Sequence, residues 1–155
     1  ANRDIKIMTL IHGSCVEIDG VGVLIRGPSG SGKSDLAFRL NDMGAHLVAD
    51  DQSKLTVTGD EIHVSAPATI SEKMEVRGIG IVHLDVVPEV RLGLIIDLVD
   101  RESVPRLPEA ETCTPMENAP GIQVPLYRLH AFDASTPQKV RLAVEVVRGD
   151  IIVET

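Results

Sequence analysis

Eight consecutive residues, Gly27-Pro28-Ser29-Gly30-Ser31-Gly32-Lys33-Ser34, constrain the fold of this 155-residue chain more than any other feature. They satisfy the spacing GxxxxGK[ST] and stand between an apolar run, Val23-Leu24-Ile25, and a segment with Leu36, Ala37, Leu40 and Met43 at helical spacing. A strand that feeds a glycine-rich turn and then a helix points the first helical amides at whatever the turn encloses. Gly27, Gly30 and Gly32 free the backbone to curl successive N–H groups around one anion, and the helix N-terminus adds partial positive charge. Lys33 then reaches β- and γ-phosphates, and the Ser34 hydroxyl is suited to a Mg²⁺ ion. Residues 27–34, with Pro28, Ser29 and Ser31 as the intervening positions, are therefore expected to cradle the phosphates of a nucleotide with Mg²⁺, with the base left open. The bland alternative is a Gly/Ser-rich turn with a chance lysine; the strand before and the helix after argue against it.

Around this turn the chain reads as one α/β domain over residues 1–155, a P-loop-containing mixed β-sheet with few helices. Strands are expected over residues 5–10, 14–18 and 21–26, the last two joined by an Asp19-Gly20 hairpin turn. Gly44 supplies the stop of the first helix, and residues 46–49 form a buried strand. Residues 55–58 and 61–65 make a second hairpin across Gly59-Asp60, and 92–99 is the most apolar strand. Residues 100–121 carry Pro105, Pro108, Pro115 and Pro120 and read as a long loop. A strand near 123–131 precedes a last helix, capped at Ser135 or Thr136 with Pro137 in its first turn, an apolar face of Val140, Ala143, Val144 and Val147, and Gly149 at its end. The apolar tail at 151–153 is suited to docking on the sheet or on a neighbouring subunit.

Phosphoryl chemistry also needs a carboxylate, and two strands offer one. The strand at 46–49 follows the first helix, so a right-handed crossover runs it parallel to 21–26 and brings Asp50 and Asp51 beside the phosphates. Asp97 competes, but its run continues into Leu98-Val99, which places it inside a strand rather than at the end. If residues 50 and 51 are extended, their side chains face opposite ways, one toward a substrate proton and one toward a metal or hydrogen-bond network. Glu75-Val76-Arg77-Gly78, if extended, puts both charges on one side; the alternative there is a surface ion pair. His12 stands between two strands, while the other four histidines show no ligand spacing.

Charge and composition narrow the partners. With 15 Lys and Arg against 23 Asp and Glu the net charge is −8, which argues against nucleic acid. Two Phe, one Tyr and no Trp suggest a ligand held by backbone and charge rather than by stacked rings. Cys15 and Cys113 lack CxxC spacing and read as unpaired thiols of a cytoplasmic protein. No apolar run reaches the roughly 18 residues of a membrane span, and no signal-peptide pattern opens the chain.

Together, Ile11-His12-Gly13, the loop 27–34 followed by Asp35, Ala49-Asp50-Asp51 and Glu75-Val76-Arg77-Gly78-Ile79-Gly80-Ile81 resemble the catalytic domain of bacterial HPr kinase/phosphorylase, and the likeness spans most of the chain. The resemblance implies the HPr kinase/PEP carboxykinase-like fold and phosphorylation of a serine on HPr or an HPr-like phosphocarrier, with removal by phosphorolysis as the reverse. It implies Asp50 as general base, with Asp51 and His12 in support, Lys33 on the phosphates, Ser34 and Glu75 on Mg²⁺, and Arg77 shaping the acceptor side. Arg106, in Val104-Pro105-Arg106-Leu107, is similar to the family's loop arginine, and a hexamer is implied. The family is usually longer, with a separate N-terminal domain, so either a short form or an isolated domain is expected. The chain departs from the family's Phe-Gly-Ala, having Val82-His83-Leu84 after Ile81, and from the Gly-Arg-Asn element before the last helix, near Lys139-Val140-Arg141. Those regions belong to partner contact and the reverse reaction, so the likeness carries kinase further than phosphorylase activity. A metabolite kinase and a nucleotide sensor without transfer are the rival readings.

Overall fold

The computed structural model describes residues 7–67 and 73–154. The most apolar run becomes the central strand, Val90–Leu98, because a strand covered on both faces needs aliphatic side chains in both directions. The elements in chain order are β1 (Met8–His12), β2 (Ser14–Ile18), β3 (Val21–Arg26), α1 (Lys33–Asp42), β4 (His46–Ala49), β5 (Gln52–Thr58) and β6 (Glu61–Ser65). They continue with β7 (Lys73–Val76), β8 (Gly80–His83), β9 (Val90–Leu98), β10 (Thr112–Cys113), β11 (Val124–Leu129) and α2 (Thr136–Arg148). One curled mixed sheet runs in the order β1-β5-β6-β9-β3-β2-β4, with β11 parallel to the second half of β9 and β10 paired to β11.

The sheet separates two cores. Val23, Ile25, Leu94, Ile96 and Leu98 face the helices, meeting Leu36, Ala37 and Leu40 of α1 and Val140 and Val144 of α2. Leu24 and Ile95 face the other way, onto Leu55, Ile62 and Val64 of the curled-over β5–β6 hairpin and onto Met116. A register shift where Gly22-Val23 pairs with Leu92 and Leu94 leaves an extra residue, Gly93, in β9. This bulge turns Leu92 into the second core and Leu94 into the first. Each of these large side chains, buried fully, contributes roughly 1.5–3 kcal/mol.

Local punctuation falls where the residue types require. Asp19 and Gly20 have φ of 50° and 82°, the two left-handed residues of a tight hairpin turn, and Gly149 ends α2 at φ 84°. Ser135 holds the N-cap position of α2 without a side-chain capping bond; Thr136 Oγ1 instead donates to the His130 carbonyl at 2.5 Å. Cys15 is fully buried, which pushes its thiol pKa up, and Cys113 is half-buried; both are free. Neither described helix is long and apolar enough to cross a membrane.

Several expectations shift. The predicted start of the first strand at residues 5 and 6 lies outside the described residues, and the described strand runs on to His12. β5 begins three residues early, at Gln52. β4 is parallel to β3 but β2 lies between them, because β2 pairs antiparallel with both. Residues 73–83, of which the sequence singles out only Glu75 to Gly78 as an extended charge pair, make the β7–β8 hairpin, which sends Met74 and Val82 into the first core. Its turn takes Arg77 out of the strand, so Glu75 and Arg77 do not share one extended face. The predicted loop 100–121 holds one 3-10 turn, Arg101–Ser103, and the short β10.

Candidate active site

β3, β4, β9 and β11 all run the same way, so their carboxyl ends share one rim. The glycine-rich loop leaves β3 at that rim and enters α1 at Lys33. Gly32 precedes the helix at φ 99°, and a Cβ there would lie 2.7 Å from the Ala131 Cβ, so both conformation and space demand glycine. Lys33 Nζ folds over the loop and donates to the carbonyls of Gly27 (2.7 Å) and Pro28 (3.1 Å). Ser31 Oγ is buried in the loop with no hydrogen-bond partner among the described residues. Together with the free amides of the first helical turn, it makes the loop a cluster of unsatisfied donors suited to an anion.

The acid of β4 meets this loop directly. Ser34 Oγ donates to Asp50 Oδ1 at 2.8 Å, and the fully buried Ser14 Oγ donates to the same oxygen at 2.9 Å. Two hydroxyls therefore hold Oδ1, and no protein donor among the described residues binds Oδ2. Asp51 is not extended: its φ is 68°, and Gln52 N donates to the Asp50 carbonyl at 2.7 Å across it. This tight three-residue turn corrects the opposite-faces expectation and is a strained conformation for a residue other than glycine. It is held in place by Gly13 N donating to the Asp51 carbonyl (2.9 Å), Asp51 N to Ser14 Oγ (3.3 Å), and the buried Ser53 Oγ to the Gly13 carbonyl (2.9 Å).

Asp97 is occupied elsewhere. It pairs in register with Arg26 and accepts from Nε at 2.7 Å and Nη2 at 2.9 Å, a bidentate pair whose hydrogen bonds raise the Arg26 pKa. The two carboxylates that compete in the sequence thus have different partners: Asp50 the loop serine, Asp97 an arginine.

Of the remaining candidates, His12 is exposed at the end of β1, opposite Gln52 and so beside the Asp50–Asp51 turn. Glu75 is exposed on β7, and no hydrogen bond among the described residues joins it to Ser34 or Asp50. Arg106 is exposed in the long loop. The structure thus brings Ser34, Asp50 and Asp51 together with Lys33 at the loop, and leaves Glu75, Arg77 and Arg106 without a bond to them. A Mg²⁺ ion suits the Ser34–Asp50 pair in donor chemistry: both offer hard oxygens, and this ion needs few protein ligands when phosphates and water complete its shell. Sequence reasoning missed Ser14 and Ser53. Strand parity carries a signal for both: Ser53 alternates with inward Leu55, and Ser14 with Val16 and Ile18 on the helix-facing side.

Comparison with known proteins fits this geometry. A sequence model described as "HPr Serine kinase C-terminal domain" matches residues 4–151. A protein of Exiguobacterium sp. named HPr kinase/phosphorylase is 53% identical over 76 residues, covering 48% of this chain and 24% of the relative. One of the same name from Geobacillus thermodenitrificans is 41% identical over 98 residues, 58% of this chain and 32% of the relative. The chain therefore spans a quarter to a third of the length of these curated relatives in its matched parts. A solved structure described as the Hpr(Ser) kinase/phosphatase from Coxiella burnetii superposes with a TM-score of 0.78 at 29% identity, covering 92% of this chain and 97% of that one.

Proposed function

Since the chain belongs to the HPr serine kinase C-terminal domain family, we propose that it is a single catalytic unit that transfers the γ-phosphoryl group of ATP to a serine of HPr or an HPr-like phosphocarrier. The observation that carries this reading is the 2.8 Å hydrogen bond from Ser34 Oγ to Asp50, which ties an acid from one strand to the phosphate loop of another. Asp50 Oδ2 then takes the proton of the acceptor serine as its oxygen bonds to the γ-phosphorus. The bond from that phosphorus to the β–γ bridging oxygen breaks, and the electron pair leaves on ADP.

The surrounding residues position this exchange. Lys33 gives up the Gly27 and Pro28 carbonyls for phosphate oxygens, a swap of neutral acceptors for charged ones. Ser14 and the strained turn at Asp51 hold the base, with His12 in support beside them. Ser34 would hold Mg²⁺, which would neutralise phosphate charge, and Glu75, exposed on β7, is the second carboxylate of the same proposal. Arg106, three residues beyond Ser103, which lines a cleft against the loop, offers its charge to the transferring group. Arg77, at the tip of the β7–β8 hairpin, belongs to the acceptor side. Assembly into an oligomer, a hexamer by resemblance, draws support from the apolar tail, where Ile152 is 94% exposed. A cytoplasmic location follows from an acceptor of this kind.

Incubation of the protein with γ-labelled MgATP and purified HPr, followed by peptide mapping, tests the reading. Label is expected on one HPr serine. Label appearing only on small molecules of a cell extract, with HPr unmodified, overturns the protein-kinase reading in favour of a metabolite kinase.

A further inference from the structure

On the side of the loop away from Asp50 lies a cleft of about 530 Å³, within the usual range of small-molecule sites. One wall is the loop itself, from Pro28 to Ser31; the other is the carboxyl end of β9, at Val99 and Asp100, with His130 and Phe132 just beyond β11. In the sheet, β4 lies on one side of β3 and β9 with β11 on the other. The acid and the cleft therefore flank the phosphate loop. A triphosphate whose terminal group faces Asp50 leads its nucleoside toward the cleft.

Phe132 gives this cleft an unusual wall. Phe132 is 56% exposed, although the far end of its ring touches the loop: a Cβ on Gly32 would lie 2.8 Å from Phe132 Cζ. The His130 ring meets it edge-on, with centroids 5.8 Å apart, and His130 Nδ1 lies 3.0 Å from the Val99 carbonyl. The backbone between them is pinned at several points. The His130 carbonyl accepts from Thr136, the Ala131 carbonyl from Arg39, and the Asp133 carboxylate from Arg101 at 2.9 Å. A flat apolar face on a fixed segment costs little ordering when a ligand stacks on it.

We propose that this cleft is the nucleobase subsite and that Phe132 is its stacking platform; the inference rests on the reading of residues 27–34 as a nucleotide site. The one carboxylate in the cleft, Asp100, is exposed and competes with water for any base edge, so stacking area rather than edge hydrogen bonds sets preference. ATP and GTP bind alike, and CTP binds more weakly. Composition alone argues against ring stacking because aromatics are few, but one ring in this position suffices.

The test is calorimetric titration of the protein, Phe132→Leu and Phe132→Trp with ATP, GTP, CTP and inorganic triphosphate, all with Mg²⁺. Leucine keeps apolar contact with Gly32 but removes the aromatic face. It is expected to weaken ATP and GTP about 10-fold, to leave triphosphate within about twofold, and to be reversed by Trp. Equal weakening of ATP and triphosphate, or unchanged ATP affinity, overturns the subsite. A wild-type protein that binds triphosphate as tightly as ATP also overturns the subsite and spares the phosphate cradle; one that binds neither overturns both.

Discussion

Asp50→Asn is expected to leave MgATP affinity within a few-fold while lowering phosphoryl transfer to HPr by about 10²–10⁴-fold, the range for loss of a positioned general base. Asparagine keeps an oxygen where Oδ1 stands, so the hydroxyls of Ser14 and Ser34 retain their acceptor and the turn at Asp51 keeps its anchor. The amide nitrogen takes the place of Oδ2, the oxygen that no protein donor binds among the described residues, and it cannot accept the serine proton. Calorimetry with a non-hydrolysable ATP analogue, run beside the labelled-transfer rate, separates the two effects. Equal transfer by Asp50→Asn and wild type removes Asp50 from the role of base. Loss of binding in step with transfer makes it a structural support of the loop instead.

Lys33→Ala is expected to lose both properties. The lysine is the loop's own cation, resting on two carbonyls that belong to the loop itself, so its removal breaks no hydrogen bond between strands or helices among the described residues. The fold should persist, with an unchanged circular dichroism spectrum. ATP affinity falls at least about 10-fold, as expected for a hydrogen bond to a charged group. Transfer falls by a further 10²–10³-fold or so, because the same cation faces the charge that develops on the departing ADP. A Lys33→Ala protein that binds and transfers normally contradicts the phosphate cradle altogether.

The difference between these two residues in the sequence explains what could be read from it. Lys33 belongs to a motif contiguous in the chain, whose glycines, apolar strand and helix start all act locally; its context was legible at once. Asp50 against Asp97 was a contest between two strand patterns, and strand periodicity says which face a carboxylate takes but not what waits there. The answer lies in a cross-strand relation: Asp97 is in register with Arg26, while Asp50 meets Ser34 across β2. The same limit hid the left-handed Asp51, since a positive φ at aspartate is imposed by its tertiary neighbours Gly13 and Ser14 rather than by its own preference.

The β7–β8 hairpin escaped for another reason. Its outward residues Ile79 and Ile81 are apolar, so the alternation that marks half-buried strands is blurred. The strands β2, β3, β4 and β6, by contrast, begin and end where turn residues and buried parity put them, because a positive-φ glycine, Gly20, Gly44 or Gly59, sets one end of each and inward aliphatics mark the span.

The proposed transfer requires an acid standing across the phosphate loop from an incoming alcohol. A crystal structure of the protein with Mg²⁺ and a non-hydrolysable ATP analogue tests this most directly. The predicted result is a γ-phosphate on the β4 side of the loop, with Asp50 Oδ2 facing it across a gap that one hydroxyl fills, about 2.6–3.2 Å from that oxygen. A triphosphate running the other way, its terminal group in the cleft beside Phe132 and its base near Asp50, would contradict it.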